Sequence, residues 1–231
     1  MSRLEKLGPS PEHAKYQALM PEFWKKVHQQ EQNDIERGLP AQGRLPAQGR
    51  TEFASTWFDA WAEQDIKKID YCIAEDCSYI DSTTFQENRL GRQFTIDNCQ
   101  AAFDVFPDFA FYPQDGSNRS LPYWDYFDNQ WRVTIPWRGI GRMIGQTIEP
   151  TTGARLKGTG RCLNFIGIDR YTLTEDFKIT HIDTDWDMLY GAAQLAGLGH
   201  LVRSRSLQKI GLRAASLVAP AFRLATLLTA R

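Results

Sequence analysis

The sequence predicts an α+β fold: a strongly curved, mixed or antiparallel sheet wrapped around N-terminal helices, with helical extensions at both ends. Two observations carry this. The strongest helical periodicities precede residue 75, whereas most alternating stretches follow residue 108, and strands gathered after helices indicate α+β rather than alternating α/β. The later strand-like segments also join through short turns, such as Glu175-Asp176, as antiparallel strands do. A curved sheet around a long helix leaves a cone-shaped cavity, a shape suited to a small ligand.

The elements follow in order. Residues 1–50 form an N-terminal extension and linker. Within it, Tyr16, Leu19, Met20, Phe23, Trp24 and Val27 recur at helical spacing and predict a helix over 11–32. A tandem hexapeptide follows, Leu39-Pro-Ala-Gln-Gly-Arg44 and Leu45-Pro-Ala-Gln-Gly-Arg50, and its Pro and Gly mark a linker. Residues 51–199 form the main domain. It opens with a helix pair whose apolar stripe runs through Phe53, Trp57, Phe58 and Trp61, then Ile66, Ile69 and Cys72. A strand over 75–81 sets Cys77, Tyr79 and Asp81 on one face, and a helix follows over 91–106. Residues 109–113 start another strand. The aromatic run Tyr123-Trp-Asp-Tyr-Phe127 reads as a mouth, a lid or a strand packed on a partner subunit. In 130–138, Trp131, Val133, Ile135 and Trp137 alternate with Arg132, Thr134 and Arg138, and Pro136 suggests an edge or a bulge. Residues 149–153 are a turn. Strands over 163–173 and 179–188 close the sheet ahead of a helical run at 189–197.

The remaining segment, 200–231, holds no acid and carries Arg203, Arg205, Lys209, Arg213, Arg223 and Arg231. Leu207, Ile210, Leu217, Val218, Phe222 and Leu224 give it an apolar side. A basic amphipathic helix of this kind contacts either an anionic membrane surface or the same or a neighbouring subunit.

Of 231 residues, 42% are hydrophobic and the net charge is −1, which fits a globular protein and gives no case for nucleic acid. No apolar run suits a signal peptide or a membrane span, so a cytoplasmic location is expected, with membrane contact only through the tail. The four cysteines form no CxxC pair and have no histidine at metal-ligand spacing. They predict buried, reduced thiols and no metal.

The most conspicuous chemistry lies in Ile179-Thr-His-Ile-Asp-Thr-Asp-Trp-Asp-Met188. In a regular strand His181, Asp183, Asp185 and Asp187 share one face, with Ile182, Thr184 and Trp186 on the other. Carboxylates so close repel, and in a buried row one of them should hold its proton near neutral pH, which makes a general acid. A solvated strand face is the alternative.

The motifs Gly91-Arg92, Ala102-Phe-Asp-Val-Phe-Pro-Asp108, Ile135-Pro-Trp-Arg-Gly139, Glu149-Pro-Thr-Thr-Gly153, Phe177-Lys-Ile179 and Asp187 seven residues before Gln194-Leu195 occur in an order that resembles the SnoaL-like polyketide cyclases of the NTF2-like superfamily. The resemblance spans about residues 51–199. It implies a cone-shaped α+β fold and a cofactor-free enzyme that cyclises or isomerises a small apolar polyketide- or terpenoid-like intermediate. It also implies dimerisation through the open sheet. Asp187 stands at the position of the family's acid/base residue; its other possible role is to cap the following helix. Relatives that hydrolyse epoxides or open them to form rings use paired carboxyl groups, and other NTF2-like domains only bind ligands or dimerise. Gly139-Ile-Gly-Arg-Met143 holds no histidine where the cyclases often have Gly-Thr-His, so His181 would compensate if it points inward.

The candidate catalytic residues are therefore Asp187, Asp185, His181 and Asp169. Asp169-Arg170 would pair across to the aspartate row in an Asp-Arg-Asp arrangement suited to epoxide opening. Trp57, Trp61, Tyr79, Asp81, Arg132 and Tyr171 are the candidate substrate-binding residues.

Overall fold

In the computed structural model, which describes residues 3–39, 49–206 and 208–209, the helices and strands separate as the sequence predicts. Helices α1 (His13–Gln17) and α2 (Met20–Glu36) precede α3 (Arg50–Ala62) and α4 (Ile66–Cys72). The break between α3 and α4 has a local cause. Gln64 is left-handed (φ 57°), and the Asp65 carboxylate caps α4 by accepting from the N–H groups of Lys67 and Lys68 at 2.9 and 3.4 Å.

The strands are β1 (Ile73–Asp81), β2 (Arg89–Leu90), β3 (Ala110–Pro113), β4 (Tyr123–Phe127), β5 (Gln130–Arg142), β6 (Gln146–Ile148), β7 (Arg155–Lys157), β8 (Cys162–Leu173) and β9 (Ile179–Trp186). Helix α5 (Arg92–Val105) follows β2, and α6 (Met188–Leu195) and α7 (Gly199–Val202) follow β9. Seven strands form a mixed sheet in the order β2-β1-β9-β8-β5-β3, with β4 also paired to β5. Only the β1–β9 pair is parallel. β6 and β7 make a separate hairpin around the predicted turn at 149–153.

Pro136 lies mid-strand, and the register explains how. β4 pairs with residues 130–134 of β5 and β3 with residues 137–140, so Pro136 falls where one neighbour ends and the other begins. A residue without an N–H costs no ladder bond there. The predicted inner face of β5 (Trp131, Val133, Ile135 and Trp137) is buried in the core that it shares with α3.

The expected N-terminal extension docks on the main domain. Phe23 and Val27 join its core, and Tyr16 packs with Ala110, Tyr112 and Ile140 on the sheet's other face. His13 holds this segment down. Its Nδ1 shares a hydrogen bond with Tyr112 Oη (2.8 Å), and its Nε2 meets Asp108 Oδ2 (3.2 Å). The hexapeptide copies fall largely outside the described residues, but the last residue of the second copy does not. Arg50 is buried; its N–H donates to Glu31 Oε1 (3.0 Å), and its guanidinium pairs with Asp34 (2.7 Å) and stacks near Trp124 and Trp131. Most of 200–231 also lies outside the described residues, and with it the expected basic amphipathic helix. Among the described residues, no helix is long and apolar enough to cross a membrane.

Candidate active site

The register of three neighbouring strands builds the site. Tyr79 of β1 aligns with Ile182 of β9 and Tyr171 of β8, and two residues along, Asp81 aligns with Thr184 and Asp169. Side chains two apart share a face, so these six residues form two parallel rows on the concave side. β1 and β8 run in opposite directions, so Tyr79-Ile80-Asp81 and Asp169-Arg170-Tyr171 are mirror patterns facing one another across β9. With strands ~4.8 Å apart, the two aspartate Cα atoms are separated by roughly 10 Å. Both carboxyl groups are buried, at 4% exposure for Asp81 and 5% for Asp169.

Their surroundings differ. Asp81 accepts on both oxygens: Oδ2 from Tyr79 Oη (2.7 Å), and Oδ1 from the N–H and hydroxyl of Thr83 (both 2.6 Å) and the N–H of Thr84 (2.9 Å). Asp169 has a relay on one side only. Trp57 Nε1 donates to Tyr171 Oη (2.8 Å), which donates in turn to Asp169 Oδ2. Asp169 Oδ1 has no hydrogen-bond partner.

Burial pushes the Asp169 carboxyl up to about 6. The hydrogen bond from Tyr171 and the polar hydrogens of Trp137 and Thr184 oppose that rise, while the charge of Asp81 adds to it. Trp137 Nε1 still meets no acceptor in hydrogen-bond geometry. Burial and the neighbouring carboxylates push both tyrosine hydroxyls well above their ordinary range. The site thus holds one carboxyl group crowded with donors and another with a free oxygen that takes a proton near neutrality.

Both aspartates line a cavity of about 440 Å³. Trp57 and Trp61 come from α3, Asn98 and Cys99 from α5, and Met188, Gly191 and Leu195 from α6. Phe109, Phe111, Trp137, Phe165 and Trp186 complete an aromatic wall, and the β6–β7 hairpin contributes Thr147, Glu149 and Leu156 at one side. Gly167 makes room for this wall. A Cβ there would lie 2.3 Å from Trp137, its cross-strand partner. Among the described lining residues there is no Lys, Arg or His. Among the described residues, no group of three or more His, Cys, Asp or Glu is placed to hold a metal ion.

Trp57, Trp61, Tyr79, Asp81, Asp169 and Tyr171 line the cavity, and the other sequence-derived candidates lie elsewhere. The buried face of β9 is Ile182-Thr184-Trp186, so His181, Asp183 and Asp185 point away from the cavity. His181 Nδ1 shares a hydrogen bond with Ser78 Oγ (2.6 Å). The expected Asp-Arg-Asp arrangement with Asp169 does not form; Arg170 instead joins two aspartates of β9 on that outer face. Alternation along β8 turns Arg170 outward when Asp169 turns inward, and Arg170 bridges Asp183 (2.8 Å) and Asp185 (2.7 Å) at about half exposure. Asp187 is exposed, lies beyond the end of β9 and caps α6 by accepting from the Tyr190 N–H (2.8 Å). Arg132 is exposed as well and pairs with Asp125 of β4. Thr83, Thr84 and the indole N–H of Trp137 were not anticipated. The mirrored Tyr-x-Asp and Asp-x-Tyr patterns were the available signal.

No family model and no curated protein matches the sequence. In structure the chain is similar to a candidate SnoaL-like polyketide cyclase from Jannaschia sp. CCS1, at 16% identity over 63% of this chain and 90% of that one, with a TM-score of 0.48. It is similar to IdmH, a candidate polyketide cyclase from Streptomyces antibioticus (17% identity, 63% and 97% covered, TM-score 0.47). It is also similar to SalBIII, an epoxide hydrolase/cyclase-like enzyme in pyran ring formation in the polyether salinomycin (17% identity, 62% and 93% covered, TM-score 0.45). At these identities the likeness is one of fold and says nothing of activity.

Proposed function

We propose that this chain is an enzyme that cyclises or isomerises a small apolar molecule by general acid/base catalysis, with Asp169 as the acid and Asp81 as its basic partner. The observation that supports this most is the free, buried Oδ1 of Asp169 on the wall of an aromatic cavity. A pocket that only held an apolar ligand would gain nothing from a buried carboxyl group, which is costly to desolvate. In the protonated form Oδ1–H donates to a substrate oxygen and the C–O bond weakens as the proton transfers. The hydroxyl that attacks the carbon gives its proton to Asp81. Tyr171 and Trp57 orient Asp169, while Tyr79, Thr83 and Thr84 fix Asp81. The unequal environments of the two carboxyl groups favour opening of an epoxide or comparable C–O bond within this class.

The test is turnover of a panel of terpene epoxides and hydroxy-epoxides, followed by mass spectrometry. On any substrate converted, Asp169→Asn is expected to lose about 10²–10⁴-fold in kcat with little change in KM. Full activity in that variant would remove Asp169 as the acid.

A further inference from the structure

The cavity is unusual in its charge. Two buried carboxyl groups stand on its wall, a third, Glu149, stands at its hairpin side, and no described lining residue is cationic. Around them lie Trp57, Trp61, Phe111, Trp137, Phe165 and Trp186, whose ring faces carry partial negative charge. Asp81 is satisfied by its neighbours, but Asp169 Oδ1 makes no hydrogen bond, although the polar hydrogens of Trp137 and Thr184 lie near the carboxyl group. A buried, ionised oxygen in this position is matched by a ligand that brings a donor and a positive charge. A carboxylate or phosphate ester would meet repulsion from every ionised group, offset only by neutral donors such as the indole N–H groups of Trp61 and Trp137 and the side chains of Asn98, Thr147 and Thr184.

We infer that the cavity selects for positive charge: it binds compact apolar organic cations in preference to neutral molecules of the same shape, and excludes the matching anions. This deepens the proposed function and rests on the same cavity. It means that the reacting centre becomes cationic along the path, with charge held by ring faces and by Asp81, rather than anionic as an enolate.

The probes are three molecules on one rigid skeleton that fits the cavity: 1-adamantylamine, 1-adamantanol and 1-adamantanecarboxylate. Binding is read by quenching of the cavity tryptophans on the full chain at pH 7.5. The ammonium is expected to bind about tenfold or more tighter than the alcohol, and the carboxylate weakest. That preference should shrink at least several-fold in Asp169→Asn. On the unaltered chain it should also shrink at pH 5, where Asp169 takes up a proton. The other groups facing Asp169 are Tyr171 on its own strand, Tyr79 and Asp81 on β1, and Cys99 on α5. The pH arm keeps the test independent of whether the variant folds. Equal or tighter binding of the carboxylate would overturn the inference, as would no binding by any of the three, or a preference unchanged at pH 5. The two ideas fail separately. Lost turnover in Asp169→Asn with no ammonium preference sinks only the charge selection, whereas ammonium preference with turnover intact sinks only the acid role.

Discussion

The two faces of the sheet carry the same residue type to different ends. On the outer face, Asp183 and Asp185 flank Arg170, half in solvent, in an ion-pair network. On the inner face, Asp81 of β1 and Asp169 of β8 stand on either side of β9 with no cation among the described cavity-lining residues. Exposed pairs in water contribute little, because solvent already screens and solvates them. Buried carboxyl groups have nothing to screen them, so each neighbour counts, and burial together with the charge of Asp81 leaves Asp169 able to hold a proton near pH 6. The environment of a carboxyl group follows from the face it stands on, not from the density of acidic residues along the chain.

Experiments on each face test this contrast. The largest expected effect is on rate. If neutral Asp169 is the acid, kcat/KM on a converted substrate should fall about tenfold per pH unit above about 6. Tyr171→Phe removes a hydrogen bond that favours the charged form, so it should move this limb to higher pH. A limb that stays in place in Tyr171→Phe would detach the relay from the acid.

Stability gives the next effect. The folded-state value of about 6 lies above the ordinary 3.8, so the folded chain binds this proton more tightly than the unfolded one. Stability from this residue is present below pH 3.8 and is lost as pH rises to about 6. Asp169→Asn lacks that loss. Two units at ~1.4 kcal/mol each predict a variant more stable than the parent by up to about 3 kcal/mol at pH 7.5, with the gap closing towards pH 4. Denaturant titrations at the two pH values measure it. A variant less stable at both would show that Asp169 holds the fold together.

The smallest effects belong to the outer face. Asp187→Ala should cost about 1 kcal/mol through loss of the α6 cap and leave the pH limb in place. Arg170→Ala should cost less than about 1 kcal/mol and leave turnover unchanged. A large fall in turnover in either variant, at undiminished thermal stability, would move the chemistry to the outer face.

Much of the fold was legible in the sequence because its signals are local. The stripe Phe53-Trp57-Phe58-Trp61 and the alternation from Trp131 to Trp137 can each be read in a short window, and both fold as expected. The shared face of Tyr79 and Asp81 was legible for the same reason. The phase of β9 was not. Both faces of 179–187 are plausible interiors: one carries Ile182 and Trp186, the other a row of acids that resembles a site. The deciding fact is the register that sets Thr184 between Asp81 and Asp169, and it joins segments about 100 residues apart. Thr184 was the one local hint, a polar residue between two large apolar ones. Asp187 drew weight from its spacing to Gln194-Leu195, a spacing that a helix cap satisfies equally well.

The anchoring of Arg50 bears on how the chain can change length. The repeated unit ends in Gly-Arg, and the arginine of the last copy starts α3 between Glu31, Asp34, Trp124 and Trp131. Replication slippage that adds or removes a whole copy hands the same Gly-Arg-Thr junction to the helix. A change in copy number by whole units would therefore leave the side chain on which the main domain begins unaltered in sequence.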